Sequence, residues 1–295
     1  MILNVSGRTD IVAFYTPWFI KRYKEGFVDV RNPFFQRQVS RIYFEDVDAI
    51  VFCTKNPIPI IKYINQIDKP IIFHITLTPY DKEIEPGVPP KGQIIQSIQK
   101  LSHLLLKENI YVRYDPIFIN DKYSVEYHKD MFERMCTLLD GYINHIIISF
   151  LDDYKNVEKN VAILHPKTVT EEDYKELGIS FSRSAKKHNM TVQTCAEEHN
   201  LVEYGFRKED CISPTLAYKL TGKTNFKYWK ARNKTTCKCV EMVDIGVYNS
   251  CKHLCKYCYA NYDENNVQKN NRNHDINSSL LIGSIEKEDM IRIRK

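Results

Sequence analysis

Short apolar runs rich in β-branched residues alternate along this chain with longer amphipathic stretches. The runs are Ile2–Val5, Ala49–Cys53, Pro70–Leu77, Ile110–Tyr114, His145–Phe150, Met190–Thr194 and Val240–Ile245. Between them, Lys91–Lys107, Val125–Leu139 and Glu171–His188 carry Leu and Ile at helical spacing on one side. Strand followed by helix, repeated, implies a parallel sheet covered on both faces. Seven such strands predict an α/β fold of the TIM type, a full or partial (β/α) barrel whose reactive end is formed by the loops after the strand C-termini.

Three segments depart from the repeat. Phe27–Val30 and Val39–Tyr43 flank Arg-Asn-Pro and predict a hairpin inserted at 27–43. The stretch from Cys195 to Cys239 has little periodicity and is expected to wrap a metal. After Tyr262 an Asn-rich run to Ser279 reads as loop, followed by a short helix at Glu286–Ile293. The expected organisation is therefore one barrel over 1–262 and a tail over 263–295 packed outside it, with no internal repeat.

Composition narrows the class. The chain has 295 residues with 43% hydrophobic and 27% charged, ordinary for a globular protein with a large core. No stretch approaches the roughly 18 uninterrupted apolar residues of a membrane helix, and the first residues lack a secretory pattern. A cytoplasmic protein with no membrane partner is expected. Nine cysteines then suggest metal ligation rather than disulfides. The formal charge of +5 permits a nucleic-acid partner without requiring one.

The sharpest chemical signal is Cys251-Lys-His-Leu-Cys255-Lys-Tyr-Cys258. Three thiolates at this spacing suit three corners of a cubane iron–sulfur cluster, leaving its fourth iron free to bind a small molecule. The competing reading is a zinc knuckle, which needs four ligands and would have to recruit His253 or His274. A second set, Cys195, Cys211, Cys237 and Cys239, makes a closed four-thiolate site for another [4Fe-4S] cluster or a structural zinc. Cys53 and Cys136 sit in a strand and an amphipathic helix, where small buried thiols are the default.

Polar residues follow nearly every strand: Arg8-Thr9-Asp10, Thr54-Lys55-Asn56-Pro57, Thr76 and Thr78, Arg113 with Asp115, Asp152 and Asp153, and Glu197 with Glu198. In a parallel barrel these ring one mouth, although each alone also reads as a helix cap or solvated loop. His74 shares a strand face with Thr76 and Thr78, where a hydrogen-bonded core role is the commoner one.

The cysteine run resembles the cluster signature of the radical S-adenosylmethionine (SAM) superfamily. Thr54-Lys55-Asn56-Pro57, Ile75-Thr76-Leu77-Thr78, Glu85-Pro86 with Pro89-Pro90, and Val112-Arg113-Tyr114-Asp115-Pro116-Ile117 are similar, in order, to the middle of spore photoproduct lyase and related photolyase-like members. Gly7-Arg8-Thr9-Asp10-Ile11 with Tyr15 is similar to their second-strand element. The cluster strand comes last here, which implies a circular permutation, physically cheap where barrel termini lie close. The whole pattern also resembles an uncharacterised bacterial family known only as a domain of unknown function.

The resemblance implies a radical SAM enzyme that reductively cleaves SAM to a 5′-deoxyadenosyl radical. By position, Cys251, Cys255 and Cys258 would ligate the cluster and Tyr257 would lie against the adenine of SAM. Thr9 and Asp10 would stand where the methionine amino group is usually held, with Thr76 and Thr78 lining the same site. Arg113 is a candidate for the methionine carboxylate, because a guanidinium fork suits a carboxylate, or else forms a buried ion pair with Asp115 or Asp10. Arg113 and Asp115 join the cysteines as catalytic candidates. The resemblance further implies a flavodoxin- or ferredoxin-type electron donor and a nucleic-acid substrate. Peptide or small-molecule modification is the rival within enzymes, and a zinc-stabilised nucleic-acid-binding protein the rival outside them.

Overall fold

A computed structural model describes residues 1–152, 155–197, 199, 201–228 and 237–295; Asp153 and Glu198 lie outside the described residues. In chain order the elements are β1 (Ile2–Val5), α1 (Ile11–Phe14), α2 (Thr16–Glu25), β2 (Phe27–Arg31), β3 (Gln38–Tyr43), β4 (Ala49–Thr54), β5 (Ile71–Thr76), α3 (Lys91–Ser102), β6 (Ile110–Ile117), α4 (Val125–Leu139), β7 (His145–Phe150), α5 (Lys155–Glu158), α6 (Val161–Leu164), α7 (Glu171–Lys187), β8 (Thr191–Thr194), α8 (Pro214–Thr221), β9 (Met242–Asp244), α9 (Glu264–Arg272) and β10 (Met290–Ile293). The longest remaining piece is a 3-10 segment, Ile58–Gln66. The seven apolar runs became the seven strands of one sheet, ordered β8-β7-β6-β5-β4-β1-β9, with every pairing parallel.

Closure is where the expectation of a TIM-type barrel needs correction. β8 and β9 are the two edges of the sheet, and among the described residues no ladder joins them. Both strands are short, and described residues between them hydrogen-bond beside each. Arg207 N donates to Val192 O at 2.8 Å beside β8, and Val240 N donates to Ile212 O at 3.0 Å at the entry to β9. Met190–Thr194 therefore does not flank Val240–Ile245. On its paired side β9 lies parallel to β1 in the register Ile2↔Met242, Leu3↔Val243, Asn4↔Asp244, so the strand that comes last in the chain stands beside the first. Asp244 locks the junction by accepting from Gly7 N at 2.8 Å, while Arg8 Nη2 donates to the Asp244 carbonyl at 2.9 Å.

The two faces of the sheet are both apolar, as a covered parallel sheet requires. Leu3, Ile50, Phe52, Phe73, Val112 and Ile148 enter the large core with the helices. Ile2, Val51, Ile72, Tyr111 and Ile147 face the other way into a smaller cluster closed by Ile212, Leu216, Ala217 and Val240. Two of the main helices show why they start where they do. Ser124 caps α4 through Tyr127 N, and Thr170 with Asp173 forms a capping box on α7.

The hairpin formed as expected, β2 against β3 antiparallel. The tail did not. The Asn-rich run contains α9, whose N-terminus is capped by the Asp263 carboxylate, and residues 290–293 form a strand rather than a helix. β10 pairs with β3 in parallel, and Arg31 bridges to Asp289 just before it. The tail runs outside the main sheet along α2, where Trp18 Nε1 donates to Ser278 O at 2.8 Å and Asp29 N donates to Ser279 O at 3.0 Å. No helix among the described residues is long and apolar enough to cross a membrane.

Candidate functional site

The loop after β9 carries Cys251, Cys255 and Cys258 to the C-terminal edge of the sheet, where it docks on the loops after β1 and β5. Ser250 Oγ donates to Thr9 Oγ1 at 2.8 Å, and Tyr15 donates its hydroxyl to Ser250 O at 2.6 Å. Lys256 N donates to Ile84 O at 2.9 Å. Gly87 N donates to His253 O at 2.9 Å, an approach so close that a Cβ on Gly87 would lie 2.3 Å from Lys252 O. Glycine is required there by backbone contact, not by turn geometry.

Asp10 ties this loop to the sheet. Its Oδ1 caps α1 by accepting from Ala13 N at 2.9 Å. Its Oδ2 accepts from Thr54 Oγ1 at 3.0 Å, from Lys55 N at 2.8 Å, and faces His253 Nε2 at 2.9 Å. The other ring nitrogen of His253 faces Gly87 O at 3.1 Å. Both nitrogens of that buried histidine are thus occupied by oxygen acceptors. His274 Nδ1 is likewise engaged, by Leu281 O at 2.7 Å. Of the two histidines that a zinc knuckle would recruit, His253 therefore has both ring nitrogens engaged and His274 has Nδ1 engaged.

Glu85 is a second hub, 1% exposed. Its Oε1 accepts from Lys55 Nζ at 2.9 Å, from Thr78 Oγ1 at 2.6 Å and from the Tyr257 hydroxyl, and its Oε2 accepts from Lys91 Nζ. Burial alone would raise its pKa. The two ammonium groups, with hydrogen bonds from Lys91 and Thr78, instead hold it at about 2. Burial pulls both lysines down; Glu85 more than restores Lys55, but Lys91 also feels the charge of Lys55 and stays lowered.

The three thiols sense one another and this frame. Burial raises all three, most strongly Cys251, where Asp10, Cys258 and Cys255 add to it. Lys55 and Lys91 oppose the rise at Cys255, favouring its thiolate. Yet the three sulfurs do not form a single-ion site. Tetrahedral ligands at about 2.3 Å from one zinc lie about 3.8 Å apart, and no three cysteine sulfurs among the described residues fall mutually within 4.8 Å. The three thiols thus neighbour one another without forming a three-ligand group within that radius.

The second set gathers on the opposite face of the sheet. The four thiols of this set sense one another in sequence, Cys195 with Cys211, Cys211 with Cys239 and Cys239 with Cys237, each raising or opposing the rise of its neighbour. Cys211 lies beside Ile2, Ile72 and Ile147 in the smaller apolar cluster. Arg113 reaches this set, not the three-cysteine loop. Its Nη1 is 3.5 Å from Cys211 Sγ and 3.5 Å from His74 Nδ1, while Nε and Nη2 bind Asp115 Oδ2 at 2.9 and 2.6 Å. Arg113 therefore forms the ion pair with Asp115. His74 Nε2 is buried with no hydrogen-bond partner among the described residues.

Sequence reasoning placed Thr9, Asp10, Thr78, Tyr257 and the three cysteines together, and they do meet. Thr76 stands beside Arg113 in register on the neighbouring strand. Tyr257 is buried, its hydroxyl on Glu85, its ring near Tyr80 and under Lys55 Nζ at 5.3 Å. Glu85 and Lys91 were assigned no role at the site, while Lys55 was named only among the polar residues ringing the mouth and His253 only as a ligand in the zinc reading. Glu85-Pro86 and Lys55 stand inside the segments that carry the resemblance, so a signal existed for them, whereas Lys91 had none. Cys136 is fully buried in the core, as expected of it, whereas Cys53 is only half-buried, its Sγ donating to Asn4 Oδ1 at 3.3 Å.

No curated protein matches this chain. A family model does, over residues 2–260, and so nearly the whole chain, with both cysteine sets and the Asp10 and Glu85 hubs, belongs to the family described as "Domain of unknown function (DUF1848)".

Proposed function

We propose that this protein is a radical SAM enzyme with a permuted, open parallel sheet in place of a closed barrel. The observation that carries the reading is the placement of Cys251, Cys255 and Cys258. The loop emerges from a strand paired with β1, docks at the C-terminal edge beside Asp10, Thr54 and Thr78, and holds three sulfurs that neighbour one another without fitting one ion. These three would hold a [4Fe-4S] cluster. Bound there with SAM, the cluster would supply reductive cleavage of the sulfonium to a 5′-deoxyadenosyl radical, with the electron coming from a flavodoxin- or ferredoxin-type donor.

The chain's own residues do the positioning. Asp10 fixes His253, and with it the middle of the cysteine loop, against the end of β4. Glu85 fixes Lys55, Lys91 and Tyr257 around Cys255, so that cationic charge faces a thiolate-rich centre in a site largely closed to water. The photolyase-like segments favour a nucleic-acid substrate at this mouth.

Anaerobically purified protein, reduced with dithionite in the presence of SAM, should release 5′-deoxyadenosine, and Cys255→Ala should abolish that release at least 100-fold while leaving the fold intact. Colourless protein holding zinc at the three cysteines, or a Cys255→Ala variant with undiminished product, would overturn the assignment.

A further inference from the structure

We infer that Cys195, Cys211, Cys237 and Cys239 hold a second iron–sulfur cluster, which closes the seam that the sheet leaves open between β8 and β9. The four residues come from both sides of that seam. Cys195 directly follows β8, and its backbone N donates to Ile148 O at 2.9 Å. Cys239 immediately precedes Val240, which leads into β9, and Ile212 N donates to Cys239 Sγ at 3.4 Å. Cys211 stands between them in the chain of sulfur contacts. Where a closed barrel would have strand-to-strand hydrogen bonds, this protein has sulfur next to sulfur.

The donor set decides between a single ion and a cluster. Only the Asp210 carboxylate with Cys237 and Cys239 falls mutually within 4.8 Å among the described residues. Neither Cys211 nor Cys195 joins that group, whereas four thiolates around one zinc would all lie about 3.8 Å apart. A cluster gives each thiolate, or pair of thiolates, its own iron and accepts the wider spread. Asp210 has another task, since its Oδ1 accepts from Lys238 N at 2.8 Å and shapes the Cys237–Cys239 turn. The Arg113 guanidinium, fixed by Asp115, sits against Cys211 Sγ, a cation placed where a multiply thiolate-ligated cluster would carry negative charge.

The two cysteine sets share no residue, so the inference is tested apart from the catalytic reading. The full-length triple variant Cys251→Ala, Cys255→Ala, Cys258→Ala is reconstituted anaerobically with iron and sulfide, and iron, sulfide and zinc are counted beside the visible and EPR spectra. The expected result is iron and acid-labile sulfide in equal amounts, at least two of each per chain, with a sulfur-to-iron charge-transfer absorption. Adding Cys195→Ser, at the half-buried end of the set, should lower the iron content or change the EPR signal, with the circular dichroism unchanged. A triple variant free of iron and sulfide while wild type retains them overturns the second cluster and leaves the first standing. One zinc per chain without sulfide also overturns it, and iron and spectrum indifferent to Cys195→Ser overturn the four-cysteine assignment.

Discussion

The two cysteine regions are built on opposite plans. Around Cys251, Cys255 and Cys258, polar side chains hold the loop: the Asp10 carboxylate accepts from three elements, Glu85 from four side chains, and His253 is gripped at both nitrogens. Around Cys195, Cys211, Cys237 and Cys239 the neighbours are mainly isoleucine, leucine and alanine, and the links are largely those between the sulfurs themselves. The first region is therefore shaped before any metal binds, as a site that must exchange a small molecule at iron would need. On the proposed reading the second would depend on its metal for its shape, and metal binding there would be folding energy. The proposed reactive centre and the proposed structural one would then differ in which of them the polypeptide holds unaided.

The comparison breaks first if stability ignores it. Cys239→Ala should lower Tm by on the order of 10 °C, because a closed thiolate site contributes directly to folding. Cys255→Ala, in a loop fastened by other groups, should shift it far less. Differential scanning calorimetry under anaerobic conditions measures both, and equal shifts would erase the distinction between the regions. The next effect lies inside the first region. Glu85→Gln leaves two ammonium groups without their counter-charge, and breaking such a buried pair costs roughly 3–5 kcal/mol. Lys91→Met removes the more exposed partner and should cost clearly less; urea denaturation at pH 7 compares the two, and the reverse order would show that Glu85 is not the centre of the cluster of charges.

How much of this was visible in the sequence follows from which contacts are local. The seven strands and the helices α4 and α7 rest on hydrophobic period and capping residues, both local, and they formed where the pattern put them. The three-cysteine loop and the pairing of β9 with β1 were legible because spacing and segment order carried them. Sheet closure was not, since it depends on how a stretch without periodicity, 195–239, runs between two short edges. The Glu85 hub was hidden for a related reason: Lys55 follows β4, Lys91 opens α3 and Tyr257 lies in the loop after β9, and nothing in the spacing joins them. At 286–293 the charges suggested a helix, but Met290-Ile-Arg-Ile293 also alternates, and pairing with β3 beside the Arg31–Asp289 bridge decided for strand.

A smaller effect sharpens the account of the first region. Asp10→Asn keeps the shape but offers one acceptor oxygen where two are used, and turns an amide N–H₂ toward either Ala13 N or the donors of Thr54 and Lys55. A buried donor left unpaired costs about 1–3 kcal/mol. The loss should appear both in thermal unfolding and as an altered EPR spectrum of the centre on Cys251, Cys255 and Cys258, with the second centre unchanged. A spectrum identical to wild type would mean that Asp10 does not position that loop.

The smallest expected effect belongs to neither region and calibrates both. His128 on α4 is fully buried, between the Tyr114 hydroxyl at 2.9 Å from Nδ1 and Phe118 O at 3.0 Å from Nε2. The neutral ring satisfies both neighbours, accepting from Tyr114 at Nδ1 and donating to Phe118 O from Nε2. Burial lowers its pKa from 6.5 to about 4, only partly opposed by the Phe118 carbonyl. The unfolded chain therefore takes up a proton below pH 6.5 that the folded one refuses until about 4. The stability that His128 contributes is complete above pH 6.5 and is lost as pH falls through that window, with a limiting slope of about 1.4 kcal/mol per pH unit. His128→Gln, which can still donate to the carbonyl, should flatten the slope by up to that amount in urea titrations between pH 4 and 6.5. Because the residue touches no cysteine, the flattening should be the same in metal-loaded protein and in protein lacking the first centre; a dependence on metal content would show that the core and the two cysteine regions unfold as one unit, and that the separation drawn between them is too sharp.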